Sequence, residues 1–174
     1  MKMDFADYTG PRTGVRQIKA QHPEYETYLS AGSVHAGTFT CADCHMEKTV
    51  KEDGTTYANH MWVSPLQSET IQKTCAACHS DLTAFVHAIQ EKTESRTIAI
   101  GNKLEELTNK LADAVASGKY TEEQLDAIRA LNRKGQWYWD FVFVENSEGA
   151  HNSRLDASCL DKAEALIDKA LGMF

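Results

Sequence analysis

The sequence predicts an all-α chain of one domain, 1–174, built in two styles: irregular backbone with short helices first, long helices afterwards. Three observations predict it. Residues 1–60 are rich in Gly, Thr, Tyr and His and carry no sustained helical period. One motif occurs twice, as Cys41-Ala42-Asp43-Cys44-His45 and as Cys75-Ala76-Ala77-Cys78-His79. From Leu82 onward apolar residues recur at helical spacing almost to the C-terminus.

Taken in order, residues 1–60 read as irregular chain of the kind that packs around a bulky cofactor, which replaces part of the core. Ser64-Pro65 reads as an N-cap with proline at the first helical position, starting a short helix that runs into the second motif. Leu82, Phe85, Val86 and Ile89, then Leu104, Leu107, Leu111 and Val115, mark a helix from about Leu82 to Ser117. Even with an interruption near Gly101 it would be roughly 50 Å long at 1.5 Å per residue. Gly118 is a suitable stop. Thr121 with Gln124 forms a capping box for a helix carrying Leu125, Ile128 and Leu131. Trp137, Trp139, Phe141 and Phe143 alternate with period two, a strand signal in isolation, but they extend a strong helical run and read as helix. A last helix carries Leu155, Leu160, Ala163, Leu166, Ile167 and Leu171.

Composition narrows the class. Hydrophobic residues make up 42% and aromatic residues 9%, enough for a packed core. The net charge is −7 and no Lys/Arg cluster occurs, so nucleic acid is a poor partner. No apolar run approaches the roughly 20 residues that cross a bilayer.

The repeated motif carries the chemistry. A c-type haem needs two thiols for thioether bonds to its vinyl groups, and an imidazole next to the second thiol to reach the iron. Cys41, Cys44, Cys75 and Cys78 are therefore the expected attachment points, with His45 and His79 as proximal ligands. A zinc site on four cysteines is the competing reading, but zinc has no need of the histidine after each pair. Adjacent Cys-x-x-Cys thiols rarely staple a chain with this much core, which disfavours a disulfide framework. Met1–Asp7 has no apolar leader. Haem attachment in bacteria takes place outside the cytoplasmic membrane, so a periplasmic protein is expected. Its export signal was then removed, or the chain is a piece of something longer.

Five histidines remain: His22, His35, His60, His87 and His151. Two bis-histidine haems use two of them. His87 lies in a plain helical run and reads as structural. The other four sit in unusual local sequences, which leaves more ligand-like histidines than haems.

At these residues the sequence closely resembles the C-terminal part of pentahaem cytochrome c nitrite reductase, the ammonia-forming enzyme. The matching stretches are Lys19-Ala20-Gln21-His22-Pro23-Glu24, Cys41-Ala42-Asp43-Cys44-His45-Met46, Ser64-Pro65-Leu66 and Glu145-Asn146-Ser147-Glu148-Gly149-Ala150-His151-Asn152, in the family's order. The resemblance implies that Cys41, Cys44 and His45 hold the family's fourth haem, with His151 as distal ligand. It implies that Cys75, Cys78 and His79 hold the fifth, with His35 distal. His60 would ligate a haem attached elsewhere, and His22 would be the active-site histidine over the catalytic haem. The Lys19 carbonyl and the Gln21 side chain would be half of a calcium site, since calcium takes hard oxygen ligands. The histidine surplus is thereby explained.

The family's Cys-x-x-Cys-Lys motif, which leaves one iron face open for nitrite, does not occur here. The resemblance places it upstream as one of three attachment motifs, with the catalytic arginine and tyrosine and the other calcium side chains. Two smaller departures are the spacing of Gly32-Ser33-Val34-His35 and Glu47 after Met46 where the family has proline. The resemblance further implies a homodimer through the C-terminal helices. It also implies electrons supplied by a quinol-oxidising membrane cytochrome or a soluble cytochrome. A free-standing dihaem electron carrier without catalysis is the rival function.

Overall fold

The computed structural model describes residues 5–174; the sequence reading of Met1–Asp4 as lacking an apolar leader lies outside them. Chain order gives a two-residue hairpin, β1 (Tyr8–Thr9) with β2 (Arg16–Gln17), then the short helices α1 (Glu24–Leu29) and α2 (Cys41–His45). A second antiparallel hairpin follows, β3 (Met46–Val50) with β4 (Thr56–Trp62). Next come a 3-10 turn at Pro65–Gln67 and α3 (Glu69–Cys75). The long helices α4 (Leu82–Ser117), α5 (Glu122–Phe143) and α6 (Ser153–Leu171) complete the chain.

The helical half forms as the period predicts. Asp81 caps α4, its carboxylate accepting from the Ala84 N–H at 2.9 Å, and Gly118 ends it in the left-handed region at φ 63°. Thr121 and Gln124 close the expected capping box on α5. Asn152 caps α6 through the Leu155 N–H. The three helices bury Ile100, Leu104, Leu107, Leu111, Leu125, Ile128, Leu160, Ala163 and Ile167 in one core. Gly101 does not interrupt α4. A Cβ there would lie 3.2 Å from the Trp139 ring, so the glycine makes room for the indole, whose N–H donates to the Thr97 carbonyl at 2.8 Å. The period-two aromatics are helical because α5 has core on one flank and this indole seat on the other. Arg96 and Lys103 on α4 pair with acids of α6 on the surface, contacts individually of small worth.

The first half differs from the expectation of irregular chain with short helices, because it contains both hairpins. The β3–β4 hairpin turns at Asp53-Gly54, with Gly54 at φ 83° and its N–H donating to the Lys51 carbonyl. That Asp-Gly pair between extended runs is a hairpin signal present in the sequence. Helix α5 holds the N-terminal segment down. Arg129 Nε donates to the Thr13 carbonyl at 2.8 Å, and Arg133 donates to the carbonyls of Arg16 and Phe5. The stripe Leu82, Phe85, Val86, Ile89 continues α4's period without being buried. Phe85 is exposed and lies beside the His79 ring.

Candidate functional site

The first motif is the helix α2 itself. Asp43 secures its start, accepting from the Thr40 N–H at 2.8 Å and the Thr40 hydroxyl at 2.7 Å. The second motif straddles the end of α3, where the amides of Cys78 and His79 both donate to the Cys75 carbonyl at 3.0 Å. The two motifs are tied together. Ser68 caps α3 through the Ile71 N–H and donates to Glu47 of β3, the strand leaving the first motif. All five cysteines are free thiols. Burial holds the Cys44 and Cys75 thiols up, protonated at neutral pH.

The histidine of each motif faces a second imidazole. The His45 and His151 ring centroids are 6.0 Å apart with planes at 71°, and those of His79 and His35 are 6.0 Å apart at 69°. Each pair of imidazoles would be the two protein ligands of a haem held at its motif, at a separation that could take one iron between the rings.

The first pair is also fixed in tautomer. His45 Nδ1 lies 2.9 Å from the Val63 carbonyl and His151 Nδ1 lies 2.6 Å from Glu145 Oε1, so each Nδ1–H donates and each Nε2 stays available. Burial, with His151 nearby, outweighs the Val63 carbonyl and lowers the His45 pKa, favouring the neutral, ligating form. Free thiols and facing imidazoles at both motifs, with available Nε2 atoms at the first, fit a covalently held haem at each. Among the described residues no group of three or more His, Cys, Asp or Glu could hold a metal ion by itself, the convergence a zinc site needs.

His151 is held from several directions. Glu145 is fully buried and accepts from His151, from the Ser147 hydroxyl at 2.6 Å and from the Ser147 N–H at 3.1 Å. Asn152 donates to the Thr27 and Ser30 carbonyls at the end of α1 while capping α6. Gly149 stands at φ 98°, and a Cβ there would lie 2.5 Å from Thr93 Oγ1 on α4. Gly149→Ala is expected to destabilise the fold by about 1–3 kcal/mol through crowding and a strained φ. Urea denaturation checks this, and an unchanged midpoint would refute the close approach.

The remaining predicted residues stand apart from these pairs. His60 is exposed on β4. His22, at φ 48°, has a side chain 84% exposed, with Glu24 at 4.0 Å. Neighbouring amides hold its segment: the Lys19 N–H donates to Asp7 at 3.0 Å and the Ala20 N–H to Asp140 at 2.8 Å. Neither bond uses the Lys19 carbonyl or the Gln21 side chain. His87, read as structural, is exposed on α4. Sequence reasoning did not single out Glu145 as the partner of His151, nor Trp62, which stacks on His45. An acid six residues before a ligand-like histidine was the only signal for the former.

A helical scaffold presenting two Cys-x-x-Cys-His turns, each opposed by another imidazole, is that of a multihaem c-type cytochrome. The chain belongs to the cytochrome c552 family, whose model matches residues 1–172. It is 34% identical to the cytochrome c nitrite reductase subunit NrfA of Nitratidesulfovibrio vulgaris (strain Hildenborough), over 97% of this chain and 34% of that protein. It is 33% identical to cytochrome c-552 of Parabacteroides distasonis, over 91% of this chain and 33% of that one. Among solved structures it is similar to cytochrome c nitrite reductase from Desulfovibrio desulfuricans ATCC 27774, described for two calcium sites in its catalytic subunit. The TM-score is 0.85 at 30% identity, covering 97% of this chain and 36% of that one. The chain thus spans about a third of the length of these relatives. The family resemblance read from the motifs is borne out. Among the described residues no helix is long and apolar enough to cross a membrane.

Proposed function

We propose that this chain is the C-terminal portion of an ammonia-forming cytochrome c nitrite reductase, acting as its electron relay. The carrying observation is the pair of imidazole couples, each 6.0 Å apart and each containing a Cys-x-x-Cys-His histidine. Cys41 and Cys44 attach one haem, ligated by His45 and His151; Cys75 and Cys78 attach the other, ligated by His79 and His35. Haem supplies one-electron redox chemistry at these positions, while the chain's residues tether it, orient its ligands and tune it. With two imidazoles holding each haem, neither site would have a place for nitrite. Reduction of nitrite to ammonium belongs to a lysine-ligated haem outside this chain. His22, exposed at the end of its held segment, serves that haem; His60 ligates another; Lys19 and Gln21 contribute to calcium binding.

Residues 1–80 form the haem-binding region, completed by His151, and 81–174 the helical dimerisation region. The exposed Ile98 and Phe143 on the outer face of α4 and α5 support a homodimer there. A quinol-oxidising membrane cytochrome or a soluble cytochrome supplies the electrons, in the periplasm.

The test is mass spectrometry of the chain exported alongside haem-maturation factors. The expected product carries the added mass of two porphyrins after denaturation. Cys41→Ser/Cys44→Ser and Cys75→Ser/Cys78→Ser each remove one. A product without porphyrin mass refutes the reading. The haem-loaded chain is expected not to oxidise a reduced dye with nitrite above the rate of free haem, and faster turnover would refute its role as relay alone.

A further inference from the structure

Trp62 ends β4, pairs across the hairpin with Met46, and so lies beside the residue that follows His45 in the chain. Its indole stacks on the His45 imidazole, with centroids 4.4 Å apart and planes within 5°. The next residue holds the same histidine twice. The Val63 N–H donates to the His45 carbonyl at 3.0 Å, and the Val63 carbonyl accepts from Nδ1 at 2.9 Å. A single hydrogen bond tolerates a broad range of tilt about its axis. A flat ring laid on the imidazole face does not.

We infer that Trp62 is a positioning residue that fixes the plane of the His45 imidazole, and with it the ligand-plane angle to His151, at the haem attached to Cys41 and Cys44. The inference rests on the haem reading above. Among the described residues the second site lacks this device: the other aromatic neighbours of its histidines are Phe85, tilted 41° to His79, and Phe39, edge-on to His35. The indole is 62% exposed, so packing of the core does not depend on it.

The consequence is electronic. In the haem-loaded chain the filled π orbital of each ligating imidazole would overlap whichever iron d orbital extends perpendicular to its ring. Planes at 71° address different d orbitals and keep their energies close, whereas parallel planes split them. The low-field g value of the ferric low-spin haem reports that splitting. Outer residues that orient a ligand tune its metal in the same way in other sites.

The experiment is electron paramagnetic resonance and redox titration of the haem-loaded full chain, comparing wild type, Trp62→Leu and Trp62→Phe. Trp62→Leu is expected to move one low-field line to lower g, broaden it and shift one midpoint potential. The line of the haem at Cys75 and Cys78 stays fixed as an internal reference. Trp62→Phe, which keeps a stacking face, is expected to restore the wild-type line. The inference is overturned if Trp62→Leu retains both porphyrins with both lines unmoved. It is also overturned if the two variants shift alike, or if both lose the porphyrin, which would make the indole a packing residue. A wild-type chain without porphyrin mass overturns the haem reading beneath it, an outcome distinct from failure of Trp62 alone.

Discussion

Glu145→Ala is expected to lower stability at neutral pH by about 1–3 kcal/mol, the usual result of leaving buried hydrogen-bond donors without their acceptor. The carboxylate side chain is 0% exposed and is the common acceptor for the His151 ring and for the hydroxyl and amide of Ser147. Truncation leaves those donors facing a void. Burial alone would raise the Glu145 pKa, but bonds from His151 and Ser147 outweigh it and hold the carboxyl below its usual 4.5. A depressed folded pKa gives stability that is present above the unfolded value and is lost as pH falls through the folded one. The gap between wild type and variant should therefore be full at neutral pH and narrow as pH falls below 4.5 and through the lower folded value. Urea denaturation at both pH values measures it. A loss under about 1 kcal/mol at neutral pH would mean that solvent reaches the pair.

Asp156→Asn is expected to do the opposite, gaining on wild type as pH rises. Asp156 is 0% exposed and neither carboxylate oxygen has a hydrogen-bond partner. Burial, with Glu145 adding its charge and His151 opposing, pushes the carboxyl to about 7. Below pH 3.8 the group is neutral folded or unfolded and has no effect. Between there and about 7 the folded chain binds a proton that the unfolded chain has released, so stability falls as pH rises. A shift of roughly three units corresponds to about 4 kcal/mol, fully lost above neutrality. The asparagine variant has nothing to titrate. Its stability difference from wild type should grow by up to that amount between acidic and mildly alkaline solution. A difference constant with pH would show that Asp156 does not carry a proton in the folded chain.

Local chemistry explains what could be read in advance. The helices from Leu82 to Leu171 were legible because period, caps and stops all lie within a few residues of one another: Asp81, Gly118, Thr121 with Gln124, and Asn152. The two Cys-x-x-Cys-His motifs were legible because the thioether chemistry of a c-type haem would fix that spacing. The β3–β4 hairpin was missed although Asp53-Gly54 announced it, since its faces are exposed and show no apolar alternation. Trp62 and Glu145 gained their roles only through that hairpin and the turn before α6, where partners are set by tertiary approach. Asp156 was invisible for a different reason. An acid in an amphipathic helix reads as solvent-facing, and only the packed bundle shows it enclosed.

His45 and His151 face each other from opposite ends of the chain, one in α2 and one just before α6. In the proposed holoprotein their shared iron is a cross-link that closes a loop of roughly a hundred residues, a restraint worth on the order of 4–5 kcal/mol against the unfolded chain. During export, N-terminal end first, the His45 imidazole would reach the haem-attachment machinery before α4, α5 and then His151 follow. The first haem would then be tethered by its thioethers well before it becomes six-coordinate, and closing that coordination would fasten the irregular half of the molecule to the bundle.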